Sequence, residues 1–166
     1  MTDRLYRVLF LCTGNSARSI LAEALLDKLG PGRFKGYSAG SHPKGRVHSL
    51  ALELIAANHL PVEGLRSKDW GEFSGPNAPK MDFIFTVCDN AASEMCPVWP
   101  GHPTTAHWGL ADPAAVEGSE AERRKAFSET WNELESRIAL FVNLPIVSLD
   151  ALALKGKVQE IGRALP

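Results

Sequence analysis

Tyr6-Arg7-Val8-Leu9-Phe10-Leu11-Cys12-Thr13-Gly14-Asn15-Ser16-Ala17-Arg18-Ser19 opens on a mostly apolar run and breaks into small polar turn formers before an arginine. Residues 6–11 are rich in strand formers, which predicts a strand buried in a parallel sheet. From Arg18 the pattern changes period: Leu21, Ala24, Leu25 and Leu29 share one stripe of a helix. Gly30 and Pro31 stop that helix. Strand, tight loop and helix in that order are the first half of a βαβ unit.

The same alternation continues outward. Residues 34–40 read as a second strand ending in a tight turn, and 47–58 as a helix with Leu50, Ala51, Leu54 and Ile55 at helical spacing. Phe83-Ile84-Phe85-Thr86-Val87 is the clearest later strand, with Cys88 at its carboxyl end. Residues 104–108 form a weaker strand, followed by a loop that contains Asp112-Pro113. A long helix over about 119–142 places Phe127, Trp131, Leu134, Ile138 and Phe141 three or four apart. The tail from Ser148 reads as another helix, with Leu154, Val158 and Ile161 on one side. Strands alternating with helices predict an α/β fold, a parallel sheet covered on both faces. The Gly- and Pro-rich residues 71–79 read as a surface loop. The whole chain, 1–166, is expected to be a single domain with a helical C-terminal extension over 145–166.

The chain is 45% hydrophobic and 22% charged over 166 residues, which leaves room for a real core. Its formal net charge of -1 counts against a general nucleic-acid or membrane-surface binder. Any affinity for anions must come from a local arrangement. No apolar run reaches bilayer length and no leader pattern opens the chain, so a cytoplasmic location is expected. Three cysteines cannot all pair internally, which points to reactive rather than structural sulfur.

Ligands of open α/β sheets gather at the carboxyl ends of strands, where Cys12 stands. Gly14 permits a tight turn, and the successive N–H groups of Thr13, Gly14, Asn15, Ser16, Ala17, Arg18 and Ser19 form an anion nest at a helix amino terminus. Arg18 adds a planar fork that can hold two oxygens of a tetrahedral oxyanion. The same surroundings are expected to lower the Cys12 pKa below its usual value of roughly 8.5, with the Ser19 hydroxyl donating to the thiolate. Cys12 is then a nucleophile beneath a bound oxyanion. The competing reading is a small buried cysteine at a strand end. Asp112 is the candidate proton donor to a leaving oxygen, although Asp-Pro is also a routine turn opener.

Cys88 falls on the same sheet rim as Cys12, and Cys96 follows after seven intervening residues. A second thiolate can attack a sulfur bonded to an electrophile, forming a disulfide and releasing a two-electron-reduced product, and a third thiol can take the disulfide over. The alternatives are packing roles for both, or a zinc site from Cys88, Cys96, His102 and His107. The last matches no usual ligand spacing, and no metal is expected.

On these residues the chain resembles the arsenate reductases built on the low-molecular-weight protein tyrosine phosphatase fold. The likeness runs through residues 8–19 with Ala22-Glu23, Tyr37-Ser38-Ala39-Gly40, Thr86-Val87-Cys88, Cys96-Pro97, His107-Trp108-Gly109-Leu110-Ala111-Asp112-Pro113 and the tail 144–162. It implies three layers, a four-stranded parallel sheet flanked by helices. It implies Cys12 as nucleophile, Arg18 and the loop amides as arsenate ligands, and Asp112 as general acid. Asn15 would shape the loop and Ser19 would stabilise the thiolate. Cys88 would attack the Cys12 sulfur and expel arsenite, Cys96 would attack Cys88, and thioredoxin or a glutaredoxin/glutathione system would reset the enzyme, with no bound cofactor. Ala17 stands where many relatives carry another cysteine, and their last two cysteines are usually separated by six intervening residues rather than seven. Some relatives hold potassium near the loop. Asn15, Glu23 and Ser38 match that site, but Lys68 falls where an Asp would be, so its ammonium is expected in the cation's place.

The alternative function is a low-molecular-weight tyrosine phosphatase acting on phosphoesters. Against it, no aromatic residue follows Asp112-Pro113 to sandwich a phosphotyrosine ring. A simple oxyanion sensor or carrier would need neither acid nor nucleophile.

Overall fold

The computed structural model describes residues 4–88 and 103–163. Four strands form one sheet: β1 (Tyr6–Leu11), β2 (Phe34–Ala39), β3 (Phe83–Thr86) and β4 (Thr104–His107). All pair in parallel, in the order β2-β1-β3-β4. The chain therefore leaves β1 toward one edge and later returns to its other side. The crevice beyond the carboxyl ends of β1 and β3 is the point where strand order reverses, the usual ligand position in such sheets.

Helix α1 (Arg18–Leu29) packs on β2 and on the long helix α3 (Glu120–Val142). Its buried set, including Ile20, Leu21, Ala22, Leu25 and Leu26, is wider than a single stripe because it is sandwiched between sheet and helix. Helix α2 (Ser49–Ala57) starts two residues later than its apolar pattern suggests. His48 caps it from an extended conformation, its ring accepting the Leu50 N–H. Ser119 and Glu122 close a reciprocal capping box at the start of α3. Helix α4 (Ala151–Arg163) buries Leu154, Val158 and Ile161 as expected, but begins only after a 3-10 turn at Ile146–Ser148.

The main core joins Val8, Phe10, Phe83 and Phe85 of the sheet to these helices. Phe85 stacks on Trp108 with centroids 4.1 Å apart, and Phe141 meets Phe85 edge-on at 5.3 Å. On the opposite face, Leu9, Leu11 and Ile84 pack under Phe73 and Met81. Phe73 belongs to a 3-10 helix, Trp70–Phe73, at the start of the stretch that reads as a plain loop. The glycines and prolines there conceal one aromatic anchor, and Asp69 caps the turn by accepting from Gly71 N at 2.7 Å. No helix among the described residues is long and apolar enough to cross a membrane.

Candidate active site

Cys12 leaves β1 at the strand-order reversal, and the loop behind it is shaped from outside. His42 N donates to Thr13 O at 2.9 Å, Lys44 N to Gly14 O at 3.0 Å and His48 N to Ser16 O at 2.8 Å. Because a trans peptide sets C=O and the next N–H in opposite directions, these three bonds turn the amides of Gly14, Asn15 and Ala17 to the concave side. The Gly14 amide bonds the Cys12 sulfur. Ala17 begins α1 without any side-chain cap, so the first-turn N–H groups and the positive helix end face the same concavity.

Asn15 is fully buried and sits in the left-handed region, φ 43°. Asparagine tolerates that conformation better than most residues. Its amide donates to Ser19 Oγ at 2.8 Å, and its carbonyl accepts Lys68 N at 2.8 Å. Ser19 is thus an acceptor toward Asn15, and its own hydroxyl hydrogen points elsewhere, which is compatible with donation to sulfur. Gly40 is required by close approach: a methyl there would strike the carbonyl oxygens of Cys12 and Thr13. Gly40→Ala is expected to displace that peptide, destabilise the fold by about 1–3 kcal/mol as overpacking does, and weaken phosphate binding. Urea unfolding and a phosphate titration check both effects; parental values in both would show that the contact relaxes without moving the loop.

Lys68 lies beside the loop with its ammonium 2.8 Å from Arg66 O, 3.3 Å from Ser38 Oγ and 3.9 Å from Glu23 Oε1. Ser38 donates to the same carboxylate at 2.6 Å. Burial raises the Glu23 pKa, against the pull of Ser38 and Lys68, and burial lowers that of Lys68. Lys68→Gln leaves the Glu23 carboxylate without its cation, so its pKa rises further. A group raised on folding contributes stability that is lost as pH climbs through its folded pKa. The variant's deficit in urea midpoint is therefore expected to be larger at pH 8 than at pH 5. A deficit independent of pH would assign Lys68 a packing role only.

The second cysteine meets the first. Thr13 N donates to Cys88 Sγ at 3.3 Å, and Thr13 Oγ1 lies 3.6 Å from that sulfur. Thr13 therefore spends on Cys88 the amide that sequence reasoning assigned to the oxyanion. Cys12 and Cys88 are both buried and neither is in a disulfide; both border Thr13, the first as its chain neighbour and the second through its amide. The Cys12 pKa moves opposite to expectation. The presence of Cys88 pushes it up most, burial adds to this, and the Arg18 charge and Gly14 amide pull it back only in part. Two neighbouring sulfurs cannot both be anions cheaply, so Cys88 opposes ionisation of Cys12.

Arg18 bridges loop and acid. Its guanidinium donates to Leu110 O at 3.0 Å and lies 3.7 Å from Asp112 Oδ2. Asp112 also accepts Ala114 N at 3.0 Å, capping a 3-10 turn at Pro113–Ala115. Turn opener and candidate acid coexist in one side chain. The strand before it is tied down by Trp108, whose indole N–H donates to Val158 O at 2.9 Å, and by Arg137, which donates to Gly109 O at 3.2 Å. Cys96 and His102 lie outside the described residues. Among the described residues no three His, Cys, Asp or Glu side chains converge as metal ligands would.

The arsenate reductase of Shouchella clausii is 34% identical over 134 residues, spanning 81% of this chain and 93% of its own. The crystal structure of an arsenate reductase from Archaeoglobus fulgidus superposes with a TM-score of 0.65 at 27% identity, covering 82% of this chain and 99% of that one. A low molecular weight protein tyrosine phosphatase from T. tengcongensis fits equally, TM-score 0.65, over 84% and 99% of the two chains. At 20% identity that likeness concerns the fold alone. The sequence pattern of one family spans residues 7–154, from β1 into α4, and includes the cysteine loop, Cys88 and the Asp112 turn; this chain belongs to the low molecular weight phosphotyrosine protein phosphatase family.

Proposed function

We propose that this chain reduces arsenate to arsenite, with Cys12 as nucleophile and Cys88 as the thiol that resolves the adduct. The observation that carries the reading is the placement of Cys88, whose sulfur accepts from Thr13 N of the Cys12 loop at 3.3 Å and whose presence is the strongest influence on the Cys12 thiol. A hydrolase needs one thiol at this place and has no use for a second. The names borne by the relatives support the same substrate.

The concave amides of Gly14, Asn15 and Ala17 and the Arg18 fork hold the arsenate oxygens. The Cys12 proton passes to Cys88, and the Cys12 thiolate attacks arsenic. One arsenate oxygen leaves as water, protonated from Asp112. Cys88 passes its proton to the Asp112 carboxylate left by that step, and its thiolate attacks Cys12 Sγ; the electron pair of the S–As bond stays on arsenic, which becomes As(III), and arsenite departs from a Cys12–Cys88 disulfide. Two thiols and one arsenate give one disulfide, one arsenite and one water. Cys96 takes the disulfide over from Cys88, and an external thiol system, thioredoxin or glutaredoxin with glutathione, reduces it. Such a cycle needs a compartment that keeps thiols reduced, which the bacterial cytoplasm provides.

The fold shared with phosphatases favours a second, weaker activity on phosphoesters, since phosphate and arsenate match in shape and charge. The exposed stretch Ala115–Glu117 that follows the acid carries no aromatic residue to bind a phosphotyrosine ring. The deciding assay is arsenate-dependent NADPH oxidation, run separately with thioredoxin and glutaredoxin systems. At least one is expected to sustain turnover. Failure of both, with brisk cleavage of an aryl phosphate, would make the chain a phosphatase.

A further inference from the structure

Beside the loop, one corner concentrates positive charge with no acid to match it. Lys44, Arg46, His48 and Arg123 line a cavity of about 450 Å³ that Ser16 of the oxyanion loop also borders. No Asp or Glu is part of its wall. Among the described residues, Lys44, Arg46 and Arg123 form no ion pair with a carboxylate, whereas the adjacent Arg124 is paired with both Glu53 and Glu120. In a chain whose net charge is -1, three uncompensated cations at one place are a local feature.

The cavity is also joined to the loop mechanically. The Lys44 side-chain carbons lie over Gly14, and its backbone N–H holds Gly14 O, so its ammonium is carried at the loop's rim. His48 N holds Ser16 O. The His48 Nδ1 accepts from Leu50 N at 3.1 Å, which places the neutral ring's proton on Nε2. Burial, Arg123 and Lys44 press its pKa down in that order, with only Asp112 opposing, so the ring senses a positive surrounding. Ser49 at the cavity wall is the first residue of α2, whose positive end opens there too.

We propose that this annex is a second anion subsite, taking the distal acidic group of a small ligand whose phosphoryl or arsenyl end occupies the oxyanion loop. The ligand class is a compact molecule with a phosphate or phosphonate at one end and a second phosphate or a carboxylate at the other. This rests on the oxyanion-loop reading above. Once the first group is seated, the second binds without a further loss of translational freedom, so affinity multiplies.

The test is a calorimetric titration of the intact, reduced protein at low salt with orthophosphate, pyrophosphate and phosphonoacetate. Pyrophosphate is expected to bind at least roughly tenfold tighter than orthophosphate. An equal gain for phosphonoacetate assigns the subsite to any distal anion, and a gain for pyrophosphate alone assigns it to phosphate. Either is supporting only if the affinity ratio collapses toward one in Arg46→Gln/Arg123→Gln, with Arg46→Gln intermediate. If orthophosphate binds but the ratio is near one in the parent, or survives in the double variant, the annex is overturned by itself. If orthophosphate does not bind the parent, the oxyanion loop falls and the annex with it.

Discussion

Cys88→Ser is expected to stop multiple-turnover arsenate reduction, lowering the NADPH-coupled rate by roughly three orders of magnitude or more. Serine is close in size but cannot attack sulfur, so the Cys12–arsenic adduct has no reductive exit. The loop itself is untouched, because its shape depends on bonds from the 42–48 segment and from Lys68 to Asn15. Phosphate affinity is therefore expected to stay within about twofold of the parent. One further change has a definite sign. Cys88 is the largest influence raising the Cys12 pKa, and replacing its ionisable sulfur lets Arg18 and the Gly14 amide act with less opposition. The midpoint for alkylation of Cys12 by iodoacetamide should move to lower pH in the variant. Unaltered turnover would refute the two-sulfur mechanism, and an unaltered midpoint would refute the influence of Cys88 on the Cys12 thiol.

Cys12→Ser produces the other large effect. A hydroxyl is far harder to ionise than a thiol, and an oxygen bonded to arsenic offers Cys88 no sulfur with which to form a disulfide. Arsenate turnover and any cleavage of phosphoesters should both fall below detection. Binding should not, since the amides of Gly14, Asn15 and Ala17 and the Arg18 fork remain. A titration that finds phosphate affinity within about threefold of the parent, beside abolished turnover, separates enzyme from carrier. Residual reduction of arsenate in this variant would move the nucleophile elsewhere.

Much of this was legible in local patterns. The apolar run 6–11, the turn formers after it and the helix from Arg18 depend on periodicity and on residues adjacent in the chain, and the structure places all three where the pattern does. Cys88 at the end of a core strand is equally local, and a parallel sheet puts its rim beside that of β1. What stayed hidden depends on distant segments. Nothing near Thr13 reveals that its amide turns to a sulfur 75 residues away. The three N–H donors from 42–48 that aim the loop are invisible because backbone donors carry no sequence signature. The direction of the Cys12 pKa was misread because helix end and arginine are neighbours in sequence, whereas the opposing thiol arrives only through the fold. Phe73 was passed over among glycines and prolines, although it anchors the second face of the sheet.

The most direct measurement is peptide mapping after a single exposure of the fully reduced protein to arsenate, without any external thiol. Mass spectrometry should find Cys12 and Cys88 in one cross-linked peptide pair, or Cys88 passed on to Cys96, with close to one arsenite released per chain. Arsenite release with both Cys12 and Cys88 still alkylatable, or a disulfide that forms without arsenate, would contradict the account.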